Sequence, residues 1–440
     1  MKFYNRTSEL AELERIRALS FKESSRLTVI TGRRRIGKTS LIMKSVEETP
    51  TVYLFVGRKN EAPLCAEFAQ VIAQSLDAFV PEGIHTFSSL FQYLMELATN
   101  RSFNLVIDEF QEFYHINESI YSDMQNIWDS YRKKSRMNLI VSGSVYSLMQ
   151  KIFQNAKEPL FGRADNIIKL SAFDLATLKE IMLDYHPHYV NDDLLALYTF
   201  TGGIPKYIEL LCDNGQLDVD GMIAFIVREN SAFTDEGKNL LVEEFGKNYA
   251  TYFSILSAIS GGINTQAEIE AALGNISIGG QLKRLIEDYN LIIRQRPVLA
   301  KEGTHTVRYE IQDNFLCFWF NYFDRYRSLI EIRNFKGLQS IIKADYPTYS
   351  GKMLERYFKQ QLAETFLYRD IGSWWEAKNE PNEIDIVALK LEKNQALVAE
   401  VKRQKKNFKP ALLAAKIEHL KHKVLPKYTI EAQCLSLEDM

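Results

Sequence analysis

The chain has 440 residues, of which 46% are hydrophobic and 25% charged, and its 54 Lys and Arg against 56 Asp and Glu give a formal charge of −2. So even a balance offers no whole-chain attraction to nucleic acid or to a membrane, and any such preference has to be local. The length exceeds what one hydrophobic core organises and suggests about three domains of ~150 residues.

The opening "MKFYNRTSELAELERIR" holds no long apolar run, so neither a signal peptide nor a membrane anchor is expected. No apolar stretch reaches the ~18 residues of a membrane span. Cys65, Cys212, Cys317 and Cys434 lie far apart and fit neither a disulfide framework nor a zinc spacing, as expected of a reducing cytoplasm. His186 and His188 in "HPH" have no third clustered ligand and read as loop residues.

Residues 1–173 alternate short Val/Ile/Leu-rich runs ("RLTVITG", "TVYLFVG", "FNLVIDE", "MNLIVSGS", "NIIKLSAF") with helical patterns. That order indicates a parallel sheet covered on both faces. Within it "GRRRIGKT", Gly32 to Thr39, matches G-x-x-x-x-G-K-[ST], follows a strand-like run and opens a helical one. Glycines let such a loop wrap backbone N–H groups around a β-phosphate, and the following helix N-terminus adds its positive end. Lys38 would reach the β- and γ-phosphate oxygens of ATP, and Thr39 would coordinate Mg²⁺. Gly32, Arg33, Arg34, Arg35, Ile36, Gly37 and Ser40 complete the expected nucleotide loop, the three arginines facing outward. The run "NLVIDE" ends in Asp108, assigned to the Mg²⁺ shell, and Glu109, placed to polarise the attacking water. A third strand ends in Ser142, Gly143 and Ser144. Ser144 is read either as a γ-phosphate sensor or as a helix cap. Arg163 in "PLFGR" is read either as an arginine finger, in cis or on a neighbouring subunit, or as an ion-paired surface arginine.

Residues 174–246 lose strand signals and read as a helical lid. Residues 247–312 give three helical stretches and then "LIIRQRPV" and "TVRYEIQD", the order of a winged helix-turn-helix. Its third helix offers Gln281, Lys283 and Arg284 to DNA but also the repelling Glu287 and Asp288. Arg294, Arg296 and Arg308 in the wing are better placed for a phosphate backbone. Residues 313–350 form an aromatic connector in which Phe315, Phe318, Trp319 and Tyr322 recur at helical spacing and read as core.

Residues 351–440 contain the helical "GKMLERYFKQQLAETF", two strand-like runs, "EIDIVALK" and "QALVAEVKRQ", then a helix and a final strand. Asp385, Glu400 and Lys402 make D-x(14)-E-x-K across the two runs. In a hairpin Glu400 and Lys402 share a face, and Asp385 falls beside them. Two carboxylates that bind Mg²⁺ and a lysine that activates water form a phosphodiester-cleaving arrangement. From Lys402 to Lys427 there are nine Lys or Arg against one acidic residue, Glu418, which suits double-stranded DNA or a solvated face.

Taken together, "FYNRTSEL", "GRRRIGKTS", "VIDEFQEF", "VSGS", "LFGR" and "TGGIPKYIELL" resemble the archaeal-type P-loop ATPases related to AAA+ and STAND NTPases. The C-terminal pattern resembles the PD-(D/E)XK restriction-endonuclease fold. The resemblance implies an α/β protein: a P-loop sheet with a helical lid, a winged helix and an α/β nuclease-like domain. It also implies that Gly202, Gly203, Pro205 and Lys206 lie in a lid motif near the nucleotide and that Asn5 and Arg6 lie near the adenine. Glu355 would add a third acidic residue to the C-terminal metal set. The expected function is ATP binding and hydrolysis controlling a winged-helix and nuclease-like module that acts on DNA. The alternative is a nucleotide-dependent switch that binds DNA or a partner protein without cleavage. A homo-oligomer or a separate protein partner stays open, and no membrane partner is expected.

Overall fold

A computed structural model describes residues 1–246, 249–301, 303–304, 306–376 and 382–440. The expected start of the third segment at 247 lies outside the described residues. The chain divides into two compact units, Tyr4–Ala172 and Phe173–Met440, the latter with Met1–Phe3.

The first unit is built on a parallel sheet of β1 (Arg26–Thr31), β2 (Thr51–Phe55), β3 (Phe103–Asp108), β4 (Met137–Gly143) and β5 (Asn166–Lys169). The order is β2-β3-β4-β1-β5. Every residue of β3 and β4 is buried, as expected of strands covered on both faces. Thr31 pairs with Gly143 and Phe55 with Asp108, so the C-terminal ends of β1, β2, β3 and β4 form one edge. Helix α1 (Thr7–Lys22) precedes β1, and α2 (Lys38–Ser45) follows it. Phe91, Phe110, Trp128, Leu139 and Phe153 pack in the core beside the sheet. Buried Asn138 donates to Asn104 Oδ1 at 2.9 Å, a polar link between β3 and β4.

The second unit begins with helices Leu175–Tyr185, Asn191–Thr201, Pro205–Asp213, Val219–Ile226 and Glu236–Phe245. Helices Tyr249–Ser260, Gln266–Ala272 and Gly279–Glu287 follow. They lead into an antiparallel pair, β6 (Ile292–Gln295) and β7 (Arg308–Ile311). The aromatic segment is buried, as its spacing predicts: Phe315, Phe318, Trp319 and Tyr322 are each at most 2% exposed, and the Trp319 indole donates to the Thr234 carbonyl at 2.9 Å. The helix expected to open at Gly351 instead spans Phe335–Glu364, with Pro347 inside it, so the 350/351 boundary falls within one element. The final sheet contains β8 (Tyr368–Trp374), β9 (Ile384–Lys390), β10 (Gln395–Lys402) and β11 (Thr429–Ser436), in the order β11-β10-β9-β8. β8, not expected from the sequence, pairs antiparallel with β9. β9 pairs antiparallel with β10, and β10 pairs parallel with β11 through the helix Pro410–Lys423. Among the described residues, no helix is long and apolar enough to cross a membrane.

Trp319→Ala removes a fully buried indole together with its hydrogen bond. It is expected to cost about 3–5 kcal/mol, read as a lower urea midpoint for the second unit.

Candidate functional site

The phosphate-type loop leaves β1 at Thr31 and enters α2 at Lys38. Gly32 has φ +152°, and a Cβ there would lie 2.9 Å from the Leu170 carbonyl oxygen, so only glycine lets the loop turn against the end of β5. Arg35 adopts φ +69° and Gly37 φ +91°, which reverses the chain into the N-terminus of α2. The Lys38 ammonium is buried and donates within the loop to the Gly32 and Arg33 carbonyls at 2.9 and 3.0 Å. Arg33, Arg34 and Arg35 are half-buried rather than fully outward, and the Arg33 guanidinium nitrogens are shielded from solvent. Ile36 is buried, whereas Thr39 and Ser40 are exposed.

Asp108 ends β3 at 5% exposure. Its Oδ2 accepts from Thr39 Oγ1 at 2.9 Å and Tyr53 Oη at 2.6 Å. Its Oδ1 accepts from Ser142 Oγ and, at 3.0 Å, from the Glu109 N–H. Burial works to raise this carboxyl, but the four hydrogen bonds outweigh it and hold it below its usual value. The site is therefore a persistent anion beside the loop. Burial, and then the bond to Asp108, push the Tyr53 phenol up.

Glu109 follows with φ +54°. Its Oε2 accepts from Ser144 Oγ at 2.7 Å, the Ser144 N–H at 3.3 Å and Gln111 Nε2 at 2.5 Å. The cap reading of Ser144 is thereby corrected: Val145 precedes the helix Tyr146–Gln154, and the Ser144 hydroxyl is committed to Glu109. The cis-finger reading of Arg163 is corrected as well. Arg163 bonds Asp129 at 3.0 Å and the Phe161 carbonyl at 2.9 Å. Two residues later Asp165 pairs with Leu27, at the start of β1, so Arg163 belongs to the edge of the sheet opposite the loop. Arg6 donates to the Ser171 carbonyl at 2.6 Å, and Asn5 Oδ1 accepts from the Arg6 N–H at 2.7 Å. Pro205 opens a helix of the second unit.

In the final sheet, Lys402 Nζ lies 2.8 Å from Glu400 Oε2 and 3.6 Å from Asp385 Oδ2, so the three residues do meet across β9 and β10. Asp385 Oδ2 also accepts from the Val401 N–H at 2.8 Å. Lys416, on the crossover helix, binds Glu400 Oε1 and the Glu383 carbonyl. Burial pushes the Glu400 carboxyl up, but Lys402 and Lys416 more than reverse this and hold it low. Burial, and then the Asp385 charge, push Glu355 up to about 7. The expected metal set of Asp385, Glu400 and Glu355 is not assembled. Among the described residues, no three His, Cys, Asp or Glu side chains are placed to hold a metal, and lysines take both oxygens of Glu400.

Arg308 bonds Glu383 at 2.6 Å and lies 4.6 Å from the Trp375 ring centroid. The Val298 N–H donates to the Ser373 carbonyl at 3.0 Å, so the β6–β7 connection packs against β8. Lys283 pairs with Glu287 at 3.7 Å, and the Arg284 guanidinium is raised by its hydrogen bond to Tyr252. Gln281 is half-buried, and Arg294 and Arg296 are exposed. Of the nine cations in the basic run, Lys402, Arg403, Lys416, Lys421 and Lys423 all have acidic partners.

Tyr53, Gln111 and Lys416 escaped the sequence reading. Only Tyr53 carried a usable signal, since it shares the face of Phe55, which pairs with Asp108, but that register is not visible before folding.

Residues 3–211 match a family model described as an ATPase domain predominantly from Archaea, and residues 319–412 match one described as archaeal and bacterial proteins of unknown function. An uncharacterized protein of Methanocaldococcus jannaschii is 32% identical over 413 residues, covering 91% of this chain and 87% of its own. Among solved structures, the Walker-type ATPase PABY2304 of Pyrococcus abyssi is similar with TM-score 0.53 and 18% identity, over 72% of this chain and 96% of that one. The Aeropyrum pernix ORC2 protein in ADPNP–ADP complexes is similar with TM-score 0.50 and 15% identity, over 78% and 96%. These likenesses establish the P-loop fold, and the family matches establish a nucleotide-binding ATPase domain. The chain belongs to the archaeal-type P-loop ATPase family, and its ATPase domain is followed by a distinct C-terminal domain.

Proposed function

We propose that the chain hydrolyses ATP with Mg²⁺ in its first unit, and that its nucleotide state governs a C-terminal module acting on double-stranded DNA. The observation that supports the first half is the convergence of Lys38, Thr39 and Asp108 at the C-terminal edge of the sheet, with Glu109 held separately beside them. A hydroxyl and a charged carboxylate 2.9 Å apart are hard oxygen donors suited to Mg²⁺. Thr39 would ligate the ion and Asp108 hold its shell, and the ion when bound neutralises charge on the β- and γ-phosphates. The loop N–H groups and the start of α2 hold the β-phosphate, while Lys38 exchanges its carbonyl partners for phosphate oxygens. Glu109 orients the attacking water. In this reading Arg163 acts only toward a neighbouring copy.

The second half rests on Asp385, Glu400 and Lys402 meeting on adjacent strands behind the long helix Phe335–Glu364, a nuclease-like arrangement. The two lysines on Glu400 favour the alternative within this reading: a nucleotide-dependent switch that binds DNA without cutting it. The buried Cys65, Cys212 and Cys317 suit a reducing, cytoplasmic setting.

Lys38→Ala is expected to lose ATP binding and turnover together. Glu109→Gln is expected to keep binding while turnover falls by about 100-fold or more. Equilibrium binding alongside phosphate release checks both, and normal hydrolysis by Lys38→Ala would overturn the reading. For the module, plasmid incubated with ATP and Mg²⁺ or Mn²⁺ is expected to be retained in a gel yet remain supercoiled with wild type and with Glu400→Ala. Nicking by wild type that Glu400→Ala abolishes would establish cleavage instead.

A further inference from the structure

The S-G-S run at the end of β4 divides the acidic pair between its two serines. Ser142 binds Asp108, whereas Ser144 binds Glu109. The residue between them is glycine for a reason outside its own backbone. A Cβ on Gly143 would lie 2.3 Å from Gln111 Oε1 and 2.5 Å from Met149 Sδ. The space that Gly143 leaves open is filled by the Gln111 amide, which is 1% exposed and donates to Glu109 Oε2 at 2.5 Å. Three donors, Gln111 Nε2, Ser144 Oγ and the Ser144 N–H, thus converge on one oxygen of Glu109. The other oxygen, Oε1, accepts no hydrogen bond among the described residues.

Glu109 is the first residue after β3 and has φ +54°, an unusual conformation for a residue with a side chain. The carboxylate is fixed by what grips Oε2. A carboxylate gripped by one oxygen has a defined direction for the other, as a side chain that must meet a water in line with a phosphorus atom requires.

We propose that Gln111 is the positioning residue for the hydrolytic carboxylate: with Ser144 it holds Glu109 by Oε2 and leaves Oε1 to serve the attacking water. The inference rests on the reading of Glu109 as the residue that activates that water. In the step, the water oxygen bonds to the γ-phosphorus as the bond from that phosphorus to the β–γ bridging oxygen breaks. The bridging oxygen leaves on ADP with the electron pair, and the water's proton passes to Glu109 Oε1. Gln111 exchanges no proton and touches no substrate; it acts through Glu109.

The test is steady-state ATP hydrolysis by the full chain, with kcat and KM determined separately and the thermal midpoint measured on the same preparations. Gln111→Ala is expected to lower kcat by about tenfold or more while the KM for ATP stays within about twofold of wild type. Gly143→Ala, which drives a methyl into the amide's place, is expected to lower kcat in the same way. Gln111→Met, which keeps the side chain's length but has no amide donor, is expected to lower kcat in the same way and supplies the measurement if Gln111→Ala or Gly143→Ala fails to fold. Unchanged or raised kcat in the soluble variants overturns the proposal, as does a fall in kcat matched by a rise in KM. If Glu109→Gln itself turns over normally, the reading of Glu109 fails. If Glu109→Gln is inactive while Gln111→Ala is normal, only the positioning role of Gln111 fails.

Discussion

The arrangement of the first unit depends on keeping the Asp108 charge in a place that water barely reaches. An ion of this size loses several kcal/mol on desolvation. Hydrogen bonds to a charged group return about 1.5–3 kcal/mol each, so four of them are enough to offset that cost. Here the four donors come from α2 (Thr39), β2 (Tyr53), β4 (Ser142) and the backbone just past β3. One side chain thereby ties the helix after the loop to three neighbouring strands, and the strand order β2-β3-β4 puts those donors within reach. The anion is also what gives the site its use, because a carboxylate that stays charged beside a threonine hydroxyl is ready for a divalent cation and the phosphates it carries.

The parts of this site read from sequence were those defined by spacing along the chain. "GRRRIGKT" after one strand and "VIDE" at the end of another point to Lys38, Thr39, Asp108 and Glu109, because the placement of each is set by local geometry at a strand end. The parts that escaped were set by neighbours distant in sequence. Tyr53 reaches Asp108 through the β2–β3 register, and Gln111 reaches Glu109 only because Gly143, thirty-odd residues on, leaves room for its amide. For Ser144 the sequence offers two roles, γ-phosphate sensor or helix cap, and the fold adds a partner that neither names, Glu109. For Arg163 only the action in cis is lost, because nothing in "PLFGR" says that it lies at the end of the sheet opposite the loop, paired with Asp129.

The second unit illustrates how composition misleads when charges are paired at long range. The basic run after β10 reads as a local excess of positive charge, yet Arg403 is bound to Asp192 and Lys423 to Glu376, so part of that excess is internal bookkeeping. Arg308 is likewise held by Glu383 and the Trp375 face, while Val298 joins the core under the final sheet. The three-helix and two-strand module is therefore packed into the C-terminal sheet through its own hairpin connection. The final sheet itself is legible for β9 and β10, whose apolar runs are continuous, and for β11, where Ile430, Ala432 and Cys434 alternate with polar residues. It was not legible for β8, where Arg369, Asp370 and Gly372 interrupt the pattern on an edge strand.

If the Asp108 junction organises nucleotide binding, its charge should be felt through the metal. The direct measurement is ATP affinity by calorimetry with and without Mg²⁺, for wild type and for Asp108→Asn, which preserves shape and removes charge. Mg²⁺ is expected to tighten ATP binding to wild type, and this gain is expected to disappear in Asp108→Asn. An equal gain from Mg²⁺ in both proteins would contradict it.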